Sequence, residues 1–163
     1  MNKTLVLGLG NPILCDDGVG PRIAMELEGK LDGNVTVAEA SLAGLNLLDL
    51  LAGYDRAIII DAIKTGEGKP GRIYRLGIED FKDTCHAAST HDVNLATALE
   101  LGGRLGMSLP RRIDIVAIEV ADTSRFGEEL TPEVAAAVPA CVEMIIEELK
   151  AGSLSEPARP PAD

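Results

Sequence analysis

The chain has 163 residues, which fits one domain with a substantial core, and its 46 % hydrophobic and 25 % charged residues make an ordinary globular balance. Lys and Arg number 15 against 26 Asp and Glu, so the formal net charge is −11; that sign opposes binding to nucleic-acid backbones and anionic lipid, and suits a cationic or metal-bearing partner. Aromatic residues are only 2 %, which leaves little to stack on bases and requires a core of Leu, Ile, Val and Ala.

In chain order, residues 3–8 (KTLVLG) form a short apolar run ended by Gly and Asn, and read as a buried strand. The loop GLGNPILCDDG follows, then a helix over about 18–31 with Val19, Ile23, Ala24, Leu27 and Leu31 on one face. Residues 34–39 make a second strand, and 44–52 a short helix closed by Gly53. RAIIID (56–61) is apolar at successive positions, which predicts a strand covered on both faces and ended by Asp61. A strand at 71–76, a helix over 91–105 and a partly alternating strand at 112–120, less buried than 56–61, come next. The last helix opens at Thr131-Pro132, with Thr as N-cap and Pro in the first turn, and Pro139 should kink it. The alternation of strands and helices predicts one domain over 1–150: a three-layer α/β/α fold on a mostly parallel, twisted sheet of about five strands. Residues 151–163 read as a flexible, Pro-rich tail.

Ligands of such sheets bind beyond the carboxyl ends of the strands, so chemistry is expected after 3–8 and 56–61. The Gly-rich turn there is not a dinucleotide loop: Ile13 stands where the third glycine of G-x-G-x-x-G belongs, and Asp16 and Asp17 would repel phosphate. The two aspartates read either as acidic residues favoured at a helix N-terminus or as site residues. Asp61, closing an apolar strand, needs a partner, in a neighbouring loop or in a site. His91, entering a helix, and His86, in a polar stretch, are the two histidines; a single His is commonly a surface residue, yet two carboxylates and one imidazole suit a borderline divalent metal. Cys15 beside two carboxylates is a poor nucleophile, because they oppose its ionisation. Cys141 reads as core, and Cys85 is unassigned. The three cysteines include no C-x-x-C pair, and no stretch has the length of a membrane span or the form of a signal peptide, all of which point to a reduced, cytoplasmic protein.

Taken together, LVLGLGNPILCDDGVGPRIAMEL, IIIDAI and STHDVNLATAL resemble the nickel–iron hydrogenase maturation endopeptidases over about residues 3–150. The pattern G-x-G-N-x-x-x-x-D-[DE]-x-x-G carries much of the likeness, and LTPEV before a Pro-containing helix extends it. The resemblance implies a phosphorylase/hydrolase-like fold and an aspartic-type or nickel-dependent endopeptidase. It would remove a C-terminal extension from the nickel-loaded precursor of a hydrogenase large subunit. Asp17, Asp61 and His91 would be the metal-engaging set, and Asp16, Asp17 and Asp61 the catalytic candidates. Nickel would arrive with the substrate, the resting enzyme being a metal-free monomer. Asp17 stands where some members carry Glu, a side chain one methylene longer. GLGNP also resembles the opening of peptidyl-tRNA hydrolases, but their His-Asn pair is absent here and the net charge opposes tRNA. A non-enzymatic nickel-binding assembly chaperone would use the same three residues.

Overall fold

The computed structural model describes residues 2–41, 46–78 and 90–151, with backbone alone for Asn46 and residues 90–96. The apolar runs form strands β1 (Thr4–Leu9), β2 (Val35–Ala40), β3 (Arg56–Ile63), β4 (Ile73–Gly77) and β5 (Arg112–Glu119). Between and after them lie helices α1 (Val19–Leu27), α2 (Asn46–Leu51), α3 (Thr90–Arg104) and α4 (Pro132–Ala151). The strands make one sheet in the order β2-β1-β3-β5-β4, parallel throughout except that β4 runs against β5. This is the mostly parallel α/β sheet expected from the sequence.

Alternation of side chains across the sheet divides the core in two. Val6, Ile58, Ile60, Val116 and Ile118 pack on one face against Val19, Ile23 and Leu27 of α1 and Val134, Cys141 and Ile145 of α4. On the other face Leu5, Leu7, Ala57, Ile59, Ile115 and Ala117 pack with Leu47 and Leu51 of α2, and Leu99 of α3 lies against them. Each fully buried Leu or Ile contributes on the order of 1.5–3 kcal/mol relative to exposure. With so few aromatics, the number of such aliphatics is what stabilises the sheet. Cys141 belongs to this core, and burial pushes its thiol pKa up to about 12.

Several boundaries differ from expectation for identifiable reasons. α1 stops at Leu27, because Glu28 turns extended and Gly29 takes φ 77°. Gly53 also adopts a left-handed φ of 87° just past α2, as its predicted capping role requires. β3 continues past Asp61 to Ile63, since β5 pairs with it as far as Ile63↔Glu119. β5 is less buried than β3, as expected, and the difference lies in its first three residues; Ile115 to Glu119 are buried between β3 and β4. α4 runs through Pro139 to Ala151, one residue beyond the expected start of the tail. Pro139 removes the hydrogen bond to the carbonyl of Ala135, and both residues lie on the exposed side, where water replaces the lost donor. The remainder of the tail lies outside the described residues. Among the described residues no helix is long and apolar enough to cross a membrane.

Candidate active site

The strand order reverses between β1 and β3: the chain passes from β1 to β2 on one side, then crosses to β3 on the other. The two crossover connections leave the sheet in opposite directions there, which opens a crevice beyond the strand ends. β1 pairs with β3 only as far as Gly8↔Ile60. Asp61, the next residue, keeps β5 as neighbour through Ala117 but has no β1 partner in the ladder, so it sits where the crevice begins. It is fully buried, and its Oδ1 accepts the N–H of Ala62 at 2.8 Å. Asp61 shares the side-chain parity of Ala57, Ile59 and Ile63, which directs it toward the face covered by α2 and α3.

The other wall is the connection from β1 to α1. Gly10 has φ 144°, and a side chain there would overlap the carbonyl of Asp17. A Cβ at Gly20 would overlap the carbonyl oxygens of Leu9 and Ile60, so glycine lets the start of α1 lie directly on β1 and β3. Between these glycines Cys15–Gly18 forms a 3-10 turn, entered by Cys15 in a left-handed conformation (φ 49°). The turn packs against β3, the strand that carries Asp61.

The two adjacent aspartates have different surroundings. Asp17 is nearly buried, and its Oδ2 accepts the N–H of Asn11 at 2.8 Å across the turn. Asp16 is 0 % exposed and holds a separate loop. Its Oδ2 accepts the N–H groups of Ala121 and Asp122, both at 3.0 Å, and its Oδ1 that of Thr131 at 2.7 Å. The Thr131 hydroxyl donates to the same carboxylate at 2.9–3.0 Å. Thr131 thus stands immediately before α4, as expected of an N-cap, but its hydroxyl serves Asp16. Backbone pairing extends the join: Cys15 N–H donates to Gly127 O, Gly127 N–H to Ile13 O and Asp16 N–H to Asp122 O. Asp122 in turn accepts the N–H groups of Ser124 and Arg125, bonds that hold its carboxyl below the usual carboxylate range.

His91 is the second residue of α3, and of its side chain only the sequence speaks. α3 leads through residues 105–111 to the start of β5, and at about 1.5 Å per residue it is about 22 Å long, comparable to the strands it lies beside. His86 and Cys85 lie outside the described residues. Among the described residues no group of three His, Cys, Asp or Glu is disposed to hold a metal ion. The candidate trio includes a side chain beyond that description.

Residues 21–148 match the model of the hydrogenase maturation protease family, HycI. The hydrogenase 2 maturation protease of Escherichia coli K12 is 30 % identical over 151 residues, which are 91 % of this chain and 91 % of that protein. The chain belongs to the hydrogenase maturation protease family. Solved structures agree with this. The hydrogenase maturating endopeptidase HybD of E. coli superposes with a TM-score of 0.81 at 29 % identity, over 92 % of this chain and 93 % of that one. The [NiFe] hydrogenase maturation protease HybD of Thermococcus kodakarensis gives 0.68 at 28 % identity, over 90 % and 98 %. The molecule is therefore a hydrolase, a protease of hydrogenase maturation, on the fold that the family shares.

Two further residues hold the loops of the protease: Glu119, which the sequence did not single out, and Thr131, expected only as a helix N-cap. Glu119, buried at the end of β5, accepts the N–H of Thr65 at 3.0 Å and its hydroxyl at 2.8 Å, fixing the β3–β4 connection. Thr131 does the same for the loop before α4. A carboxylate ending an apolar run was the available signal for Glu119; it is the signal that singled out Asp61.

Proposed function

We propose that this protease removes a C-terminal extension from the precursor of a nickel–iron hydrogenase large subunit, and that it recognises the precursor by the nickel already seated in it. Asp17, Asp61 and His91 are the residues assigned to meet that metal. The observation that supports the reading is the packing of the turn that carries Asp17 against β3, the strand that carries Asp61, at the point where the strand order reverses, in a member of this family. Carboxylate and imidazole donors suit a borderline divalent cation, and burial strengthens their field. In this reading nickel comes with the substrate, the resting protein is a metal-free monomer of the cytoplasm, and neither nucleic acid nor membrane takes part.

Hydrolysis adds water across one peptide bond. The attacking oxygen must lose a proton and the leaving amine must gain one, and a carboxylate facing the crevice is suited to carry it. Nickel on the substrate would supply polarisation of the scissile carbonyl or of the water. Asp16, with its oxygens engaged by Ala121, Asp122 and Thr131, acts in this scheme as a positioning residue that fixes the turn carrying Asp17.

The test is to incubate the protein with matched precursor in nickel-loaded and nickel-free forms and read both masses. Loss of one C-terminal peptide from the loaded form alone is expected. Cleavage of both forms would discard the metal-recognition idea, whereas nickel retention without cleavage would favour an assembly chaperone. Asp17→Asn is expected to lower processing at least about 100-fold while leaving the unfolding temperature within a few degrees. A fully active Asp17→Asn would remove Asp17 from the site.

A further inference from the structure

Large side chains exposed beside the crevice are Ile13, 48 % exposed, on the β1–α1 connection, and Phe126, 81 % exposed, on the loop between β5 and α4. The two loops are one hydrogen-bonded unit: Gly127 N–H reaches Ile13 O at 2.8 Å and Cys15 N–H reaches Gly127 O at 2.9 Å. We infer that Ile13 and Phe126 form an apolar lip of the active site that binds the precursor's polypeptide next to the scissile bond. This rests on the reading of Asp17 as a site residue.

Three observations support that occupant. First, Phe126 is not surplus from the core. The chain is nearly devoid of aromatics, Tyr74 is buried, and this Phe is among the most exposed of the large apolar residues. Leaving such a ring in water forgoes the free energy of its burial, which a partner can recover. Second, the ring is carried by a fixed loop. Asp122 accepts the N–H groups of Ser124 and Arg125 just before Phe126, Gly127 is paired to Ile13 and Cys15 just after it, and Asp16 holds both ends of the loop at Ala121 and Thr131. An anchor fixed in advance loses less freedom when a peptide docks. Third, the lip is continuous with the site: Cys15, bonded to Gly127, is two residues from Asp17, and Ile13 is two residues from Asn11, whose N–H holds the Asp17 carboxylate. A chain delivered to the Asp17–Asp61 crevice along this wall meets these side chains. The metal would select loaded precursor, and the lip would select the sequence beside the bond that is cut.

Phe126→Ser and Ile13→Ser should each raise the precursor concentration at half-maximal rate about tenfold, as loss of an aromatic or aliphatic anchor does, with kcat changed less than about threefold. Phe126→Leu should restore most of the loss, and thermal unfolding should be unchanged because both side chains are exposed. A photo-crosslinking amino acid at position 126 should capture the precursor on the segment flanking the cleavage site. Unaltered half-saturation in Phe126→Ser, or crosslinks only to distant parts of the precursor, would overturn the proposal, and so would crosslinks only to a second copy of this chain. Asp17→Asn separates the two levels. If it abolishes cleavage while the lip variants behave as wild type, the lip alone fails. If it cleaves normally, the site reading fails first.

Discussion

At the carboxyl ends of the strands, buried Asp16 and Glu119 accept hydrogen bonds from backbone N–H groups and threonine hydroxyls. At the amino ends, partly exposed Arg56 and Arg112 converge on one carboxylate, Asp114, at 3.2 and 2.9 Å. The second end is also electropositive: a cavity of about 450 Å³ there is lined by Lys30, Arg56, Arg111, Arg112 and Lys150 against Asp32 and Asp55, in a chain of net charge −11. Fixed N–H donors aimed at a buried carboxylate set the position of whole loops, whereas an ion pair with one partner open to solvent, as Arg112 is, holds its geometry less firmly and is partly screened by salt. The end that must present side chains accurately is built with the first device.

Mutation can break this contrast. Asp16→Ala should cost the most, about 3–5 kcal/mol, because it strands buried donors from the loop between β5 and α4. Thermal or urea unfolding measures it, and a loss under about 1 kcal/mol would mean that the loop is held by other contacts. Gly20→Ala, which sets a methyl against the Leu9 and Ile60 carbonyls, should cost about 1–3 kcal/mol and shift the start of α1. At the opposite end Asp114→Asn should cost about 1 kcal/mol or less and lose most of its effect in molar salt. A large, salt-insensitive loss would make the two ends alike. Cys141, between them in the core, should show the smallest response: with its pKa raised to about 12 it stays a thiol at pH 8 and should resist alkylation until the chain unfolds.

The sheet was legible because β1 and β3 are apolar runs of the right length and the other strands are short segments rich in β-branched and aliphatic residues; β3, buried from Ala57 to Ile63, is the clearest case. Its end was misjudged because a strand stops where its neighbour stops, and β5 supplies that partner from a distant part of the sequence. Asp61 was legible as a site candidate because a carboxylate at the end of an apolar strand requires an explanation, and Asp17 through the resemblance of its loop to the family's. Asp16 was legible as important but not in its partners: Ala121, Asp122 and Thr131 lie more than one hundred residues away, and three of the bonds come from backbone groups that every sequence possesses. For the same reason the pairing of Ile13 with Gly127 leaves no local trace.

The 3-10 turn at Cys15–Gly18 has about three residues per revolution, so neighbouring side chains leave it roughly 120° apart. That angular step is why one of two identical residues faces the Ala121–Thr131 loop and the other faces Asn11. The pair is consequently intolerant of changes in spacing. Inserting a single residue within the turn ahead of Asp16 would rotate both carboxylates by about a third of a revolution and take them off these partners, although the composition of the loop would scarcely change.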